Sequence, residues 1–237
     1  MKMYTLAFDS TAKVASVAVA KDEKIIASYS IDNGLTQSEL LLPMAESILK
    51  SLGLKFSDIG LLAASVGPGS FTGVRIGVSL IKGLAFGKNI PCVAVSTLDA
   101  LAENLRGLSG VLLPCMDARR NQVYSAIYTS SESEIEKKSE DMAISISELC
   151  ERARALGESN IYISGDGYDI VKDSFAALGL EVKNTPPDLR LESAASVARV
   201  AYRKYLSGEV SSDLDISPTY LRLPQAERER LEKLKEN

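Results

Sequence analysis

Gly67-Pro68-Gly69-Ser70-Phe71-Thr72-Gly73-Val74-Arg75-Ile76 decides the fold of this 237-residue chain. These residues follow an apolar run, Leu61 to Val66, that reads as a buried strand. They open a mostly apolar helical stretch, Thr72 to Phe86, for which Thr72 is the expected N-cap. Strand, glycine-rich turn and helix is an arrangement that either aims backbone N–H groups at an anion or packs a helix tightly on a sheet. No Gly-Lys-Ser/Thr follows the turn, which excludes a P-loop. The glycines at 67, 69 and 73 miss the dinucleotide-binding spacing by one residue. Spacing alone leaves phosphate contact and tight packing both open.

Upstream, Met3 to Phe8, Val14 to Ala20 and Lys24 to Ser30 are short apolar and β-branched runs separated by polar turns, an antiparallel meander. Ser38 to Leu52 has a helical period, with Leu41, Met44, Ala45, Ile48, Leu49 and Leu52 on one side. Pro43 places the regular part of that helix near Leu42. Downstream come a strand at Cys92 to Val95 and a helix at Ser96 to Leu105. The second half repeats the plan. Val111 to Met116 and then Asp117 echo the first strand and Asp9, and Gln122 to Thr129 echoes the second strand. Ile161 to Ser164, Gly165-Asp166-Gly167 and a helical Asp169 to Leu178 echo strand, glycine turn and helix. Such duplication implies two lobes with a cleft between them. It fits the two-lobed α/β fold of actin-like proteins, sugar kinases and heat-shock ATPases, a duplicated ribonuclease H-like unit. The expected division is 1–107 for the first lobe, 108–222 for the second and 223–237 for a charged tail. A final amphipathic helix, 191–206, has the option of packing back on the first lobe. The charged, serine-rich run Ser130 to Asp141 reads as a solvated loop or hairpin tip.

Apolar content of 46% and charged content of 24% describe a soluble globular chain. No stretch is long and apolar enough to span a membrane, and the N-terminus lacks the pattern of a signal peptide. Cys92, Cys115 and Cys150 are dispersed and odd in number, as expected of buried thiols in a reducing cytoplasm. A net charge of −4 argues against a self-sufficient nucleic-acid binder. The chain has no histidine, so Ser-His-Asp, Cys-His and His-based zinc chemistry are excluded.

Asp9 and Asp117 each end the first strand of their half, where aspartates can hold metal–phosphate. Equally, such residues cap turns through their own backbone. With Gly165, Asp166 and Gly167 they form the candidate nucleotide site, which lacks a lysine phosphate clamp. In the second helix, Arg75, Ser79 and Lys82 share a face, and nearly everything else is apolar or glycine. The apolar residues exceed one core-facing stripe. The helix is therefore either buried on both sides or covered by a partner.

The whole glycine string resembles the hallmark of the TsaB family. The resemblance extends to Leu6-Ala7-Phe8-Asp9-Ser10-Thr11, Ser38-Glu39-Leu40-Leu41-Leu42-Pro43, Met116-Asp117-Ala118-Arg119-Arg120 with Val123-Tyr124, Gly165-Asp166-Gly167 and Pro218-Thr219-Tyr220-Leu221-Arg222. One departure is Gln37, where the family often carries histidine. The resemblance implies the same two-lobed fold. It implies a non-catalytic cytoplasmic scaffold for the tRNA threonylcarbamoyladenosine transferase TsaD, with the ATPase TsaE as a further partner and tRNA reached indirectly. It implies self-pairing when the chain is alone, no metal and no cofactor, with ATP or ADP held only at a complex interface. TsaD carries a His-x-x-x-His metal motif, and Thr97 and Leu101 stand at the comparable positions here. Pairing would use the two helices of the first lobe, through Leu41, Met44, Ala45 and Ile48 of one and Arg75, Gly77, Ile81 and Leu84 of the other. The competing readings are a nucleotide-binding ATPase or phosphotransferase of the same fold, or a glycoprotease-like protein, which the missing histidines disfavour.

Overall fold

The computed structural model describes residues 3–131, 134–157 and 160–222; the expected charged tail lies outside them. β1 (Tyr4–Asp9), β2 (Ala15–Lys21) and β3 (Lys24–Ile31) form the antiparallel meander. β4 (Ile59–Ser65) joins parallel to β1, and β5 (Cys92–Val95) joins parallel to β4, giving the order β3-β2-β1-β4-β5. The central strands alternate between two buried faces, as the pleat requires. Leu6, Phe8, Leu62 and Ala64 point to α1 (Gln37–Ser51) and α2 (Phe71–Ala85). Ala7, Leu61 and Ala63 point the other way.

α1 begins five residues earlier than Pro43 suggested. The Glu39 carboxylate accepts the Thr36 N–H at 3.2 Å, so the first turn is secured from its own residues. Pro43 lies inside the helix on its exposed side, where water can serve the carbonyl that proline leaves without a donor.

The second sheet repeats the first. β6 (Gly110–Asp117) pairs antiparallel with β7 (Gln122–Ser125) and β8 (Tyr128–Ser131). The two share one register, with Cys115 opposite Ser125 and Gly110 opposite Ser130, so they are one strand interrupted at Ala126 and Ile127. β9 (Glu134–Lys137) and β10 (Met142–Ser145) flank β8 and β7, and β11 (Ile161–Ser164) lies parallel to β6. The order is that of β3-β2-β1-β4, without a counterpart of β5. The duplicated ribonuclease H-like architecture is therefore present. Of the two readings of Ser130 to Asp141, the hairpin is the one found: β8 and β9 pair antiparallel within the run, and β9 supplies an edge of the sheet. α4 (Ile146–Ala155) follows β10 as α1 follows β3, and α5 (Tyr168–Ala177) follows β11 as α2 follows β4.

The remaining two helices change places. α3 (Thr97–Asn104) follows β5 in sequence but packs on β6 and β11. α6 (Ala194–Leu206), the last helix, packs on β1, β2, β4 and β5. Its inner residues Ala194, Val197, Ala198 and Ala201 have helical spacing and meet Ala7, Ala18, Ala20 and Ala63. Small side chains on both partners let the helix lie close to the sheet. No helix among the described residues is long and apolar enough to cross a membrane.

Candidate functional site

Two concave features flank the glycine turn. The first is the cleft between the lobes. Asp9, at the end of β1, is 1% exposed and turned inward. Its carboxylate accepts the Thr11 N–H at 2.9 Å, the Thr11 hydroxyl at 2.7 Å and the Ser65 hydroxyl at 2.5 Å. Burial pushes its pKa up, and those three donors counter part of the rise. Asp9 thus knits the β1–β2 turn to β4.

The glycine turn lands on that same β1–β2 turn. Ser70 N–H donates to the Thr11 carbonyl at 2.7 Å, and a Cβ on Gly69 would sit 2.5 Å from that oxygen. A Cβ on Gly73 would sit 1.9 Å from the Ser10 carbonyl, and one on Gly77 would sit 2.8 Å from Ser10 Oγ. The backbone that comes close to α2 is the chain's own, which corrects the assignment of Gly77 to a partner contact. The N-cap of α2 is Ser70, whose hydroxyl accepts Gly73 N–H at 3.2 Å, and not Thr72.

The second lobe does the same. Gly165 N–H donates to the Arg190 carbonyl at 2.6 Å, and Gly167 N–H donates to the Cys115 carbonyl at 3.0 Å. Cβ atoms on these glycines would lie 2.2 and 2.9 Å from the Cys115 oxygen. The amides of Ser70, Gly165 and Gly167 are all spent on internal carbonyls.

Between the turns, Asp117 N–H donates to Asp166 Oδ1 at 2.9 Å, and Arg119 N–H donates to Asp117 Oδ1 at 2.7 Å. The Asp166 carboxyl is pushed up, first by desolvation and then by the charge of Asp117. A cavity of about 480 Å³ opens here, lined by Thr11, Lys13, Gln37, Asp117, Arg119 and Asp166 among others. Asp117 and Asp166 border it; Asp9, Gly165 and Gly167 lie behind its wall. Lys13 and Arg119 are the cationic side chains on its lining. Glu192, which nothing in the sequence singled out, is 3% exposed, and its Oε1 has no hydrogen-bond partner. Burial and the nearby charge of Asp9 raise its pKa to about 8. Thr97 and Leu101 are buried in α3. Among the described residues no cluster of three or more His, Cys, Asp or Glu has the geometry to hold a metal.

The second feature is a groove of about 550 Å³ between α1 and α2, on the outside of the first lobe. Leu42, Phe71, Arg75, Ile76, Ser79 and Leu80 line it, with Leu41 at its floor. Here the residues chosen from the helical period need correction. Leu41, Met44, Ala45, Ile48 and Ile81 are buried at 5% exposure or less against the chain's own sheet. The open apolar face of α2 is rotated from that stripe to Ile76 and Leu80. Arg75 is exposed at its edge, and Leu84 is half-buried. The signal was the excess of apolar residues in α2, which periodicity could count but not orient.

A family model described as "TsaD: tRNA N6-adenosine threonylcarbamoyltransferase" matches residues 35–230. The "tRNA threonylcarbamoyladenosine biosynthesis protein TsaB" of Escherichia coli is 31% identical, over 93% of this chain and 95% of its own length. The chain belongs to the TsaB family, within the wider TsaD-type family. The Bacillus subtilis TsaB protein is 28% identical over 98% of this chain and 100% of its own. By contrast, a tRNA N6-adenosine threonylcarbamoyltransferase from Granulibacter bethesdensis is 39% identical over 29% of this chain and only 19% of itself. The TsaB fold is also that of the solved YeaZ from Pseudomonas aeruginosa, with a TM-score of 0.73 and 23% identity, covering 92% of this chain and 100% of that one.

Proposed function

We propose that this chain acts in threonylcarbamoyladenosine biosynthesis on tRNA as a non-catalytic subunit. It seats a TsaD-type transferase on the groove between α1 and α2, and a TsaE-type ATPase joins the assembly. The groove carries this reading: it is an apolar concavity on the face where the family implies pairing, and Leu42, Ile76 and Leu80 offer it an oily lining edged by Arg75. In the absence of the transferase, a second copy of the chain takes the same place. The amides of Ser70, Gly165 and Gly167, spent on internal carbonyls, support the non-catalytic part, because a nucleotide site of this fold would need such amides. We assign the chain no cofactor of its own. ADP or ATP belongs at the interface of the complex, and the site of action is cytoplasmic.

The experiment is a titration of the chain against a fixed amount of its cognate TsaD, with TsaE, the threonylcarbamoyl donor and tRNA present. Modified tRNA should rise and saturate near equal amounts. Leu80→Glu combined with Ile76→Glu should abolish the rescue while circular dichroism stays native, since both side chains are only half-buried at the rim of the core and a carboxylate there can turn to water. Calorimetric titration of the isolated chain with ATP and Mg²⁺ should give no turnover. Sustained ATP hydrolysis that disappears with Lys13→Ala would replace the scaffold by an enzyme.

A further inference from the structure

One segment touches both lobes. Past α6 the chain follows the edge of β5, where Cys92 and Ser211 exchange N–H···O bonds of 2.9 and 2.8 Å. It then crosses the glycine turn. Thr219 N–H donates to the Val66 carbonyl at 2.7 Å, and a Cβ on Gly67 would lie 2.5 Å from the Thr219 oxygen. The Tyr220 hydroxyl accepts from Arg75 Nε at 2.8 Å, its ring lies 5.0 Å from that of Phe71, and the Arg75 guanidinium covers the Phe71 face at 3.8 Å. Two residues on, the chain has reached the second lobe. Arg222 Nη1 donates to the Ala118 carbonyl at 3.0 Å, and Nη2 donates to Gln122 Oε1.

The far anchor is a strained hairpin. Arg119, Arg120 and Asn121, between β6 and β7, all have left-handed backbone, with φ of +65°, +55° and +58°. Three such residues in a row are costly without glycine and persist only where the surroundings hold them. Arg222 bonds to the residues on either side of that run, one carbonyl and one amide oxygen, with the planar fork that suits arginine and not lysine.

We propose that residues 218–222 are an interlobe latch. It ties the first turn of α2 to the β6–β7 hairpin across the mouth of the cleft, so that the hairpin's conformation and Arg75 on the groove edge respond together. The near end holds through Tyr220 on Arg75, the far end through Arg222 on Ala118 and Gln122, and the single residue between them, Leu221, leaves no slack, because the Thr219 main chain is pinned to β4's exit.

Hydrogen–deuterium exchange of the full chain, read by mass spectrometry, tests the coupling. Arg222→Ala should speed exchange of the hairpin, residues 118–123, by roughly threefold to tenfold, the population change that loss of one or two net hydrogen bonds permits. It should also speed exchange across the cleft at residues 70–76, with β1, β4 and β6 unaltered. Tyr220→Phe, which keeps the ring and removes the bond from Arg75, should move the same two regions. Gln122→Ala removes one of the two far-end bonds without touching the segment and should move the same two regions by a smaller factor, so it decides the matter if Arg222→Ala does not fold. Acceleration confined to the neighbourhood of each changed residue would overturn the latch, leaving two independent anchors.

Discussion

Glu192 is buried within reach of the Asp9 charge, 3% exposed, with one carboxylate oxygen unserved. Burial, then the Asp9 charge, raises its pKa from 4.5 to about 8. Between those two values the folded chain holds a proton that the unfolded chain has released. Stability therefore falls as pH rises through that window, and the penalty is complete above pH 8. Glu192→Gln keeps the shape and removes the titration. Its thermal midpoint should exceed that of the parent at pH 8, by about 2–4 °C for each kcal/mol relieved in a chain of this size. The gain should disappear at pH 4, where both states of the parent are protonated. Calorimetric scans at the two pH values check this; an equal gain at both would mean altered packing and not a relieved charge. Cys92 and Cys115 are inert by the same physics, burial pushing their thiols up to about 11 and 12.

Within α2, glycines that look alike in sequence do different things. Gly73 faces the Ser10 carbonyl, a main-chain atom that cannot step aside. Gly73→Ala should cost about 3 kcal/mol or more, at the upper end of overpacking penalties. A Cβ on Gly83 would meet nothing within 4 Å. Gly83→Ala should stabilise the chain by about 0.8–1 kcal/mol through helix propensity alone. Urea unfolding of the two variants separates a glycine kept for close approach from one that is merely tolerated. The same helix separates Ile81 from Leu80. Ile81→Glu would bury an unpaired carboxylate against the sheet and should unfold the chain. A folded Ile81→Glu monomer, seen by sedimentation and circular dichroism, would show that the inward face has been misplaced.

At the scale of the molecule, the exchange of α3 and α6 holds the lobes together. Each half lends its last helix to the other half's sheet or to the space beside it, and the two helices pack on each other. A charged tie crosses that contact. Arg203 of α6 bonds Glu103 of α3 at 2.5 Å and Glu23 at 2.7 Å, and Glu103 also pairs with Arg106 at 2.8 Å. Glu103 is 3% exposed, whereas Arg203 is partly in water. Arg203→Ala should therefore cost only about 1–2 kcal/mol, because Arg106 remains and solvent screens the rest. Denaturant titration reads the change. A single cooperative transition in the variant keeps the lobes one unit; a split into two transitions would show that this tie alone couples them.

Local rules reached far along this chain. Cys92–Val95 and Ile161–Ser164 could be read as strands to the residue, and both glycine turns could be placed, because alternation, helical period and turn chemistry act over a few neighbours. β10 and α4 escaped. β10 is four residues long, and the Ser145 cap with Glu148 three residues on was the trace left by α4. The family was legible in ten residues. Orientation was not. The period of α2 supplies more than one apolar face, and only the packed sheet shows that Ile81 goes in while Ile76 and Leu80 stay open. The glycines announced a close approach, but the identity of what approaches, Ser10 and Thr11, depends on where β1 ends in space. Glu192 beside Asp9, and Tyr220 and Arg222 reaching Arg75, Ala118 and Gln122, join residues a hundred or more positions apart; no periodicity encodes such pairs, because they exist only once both sheets have formed.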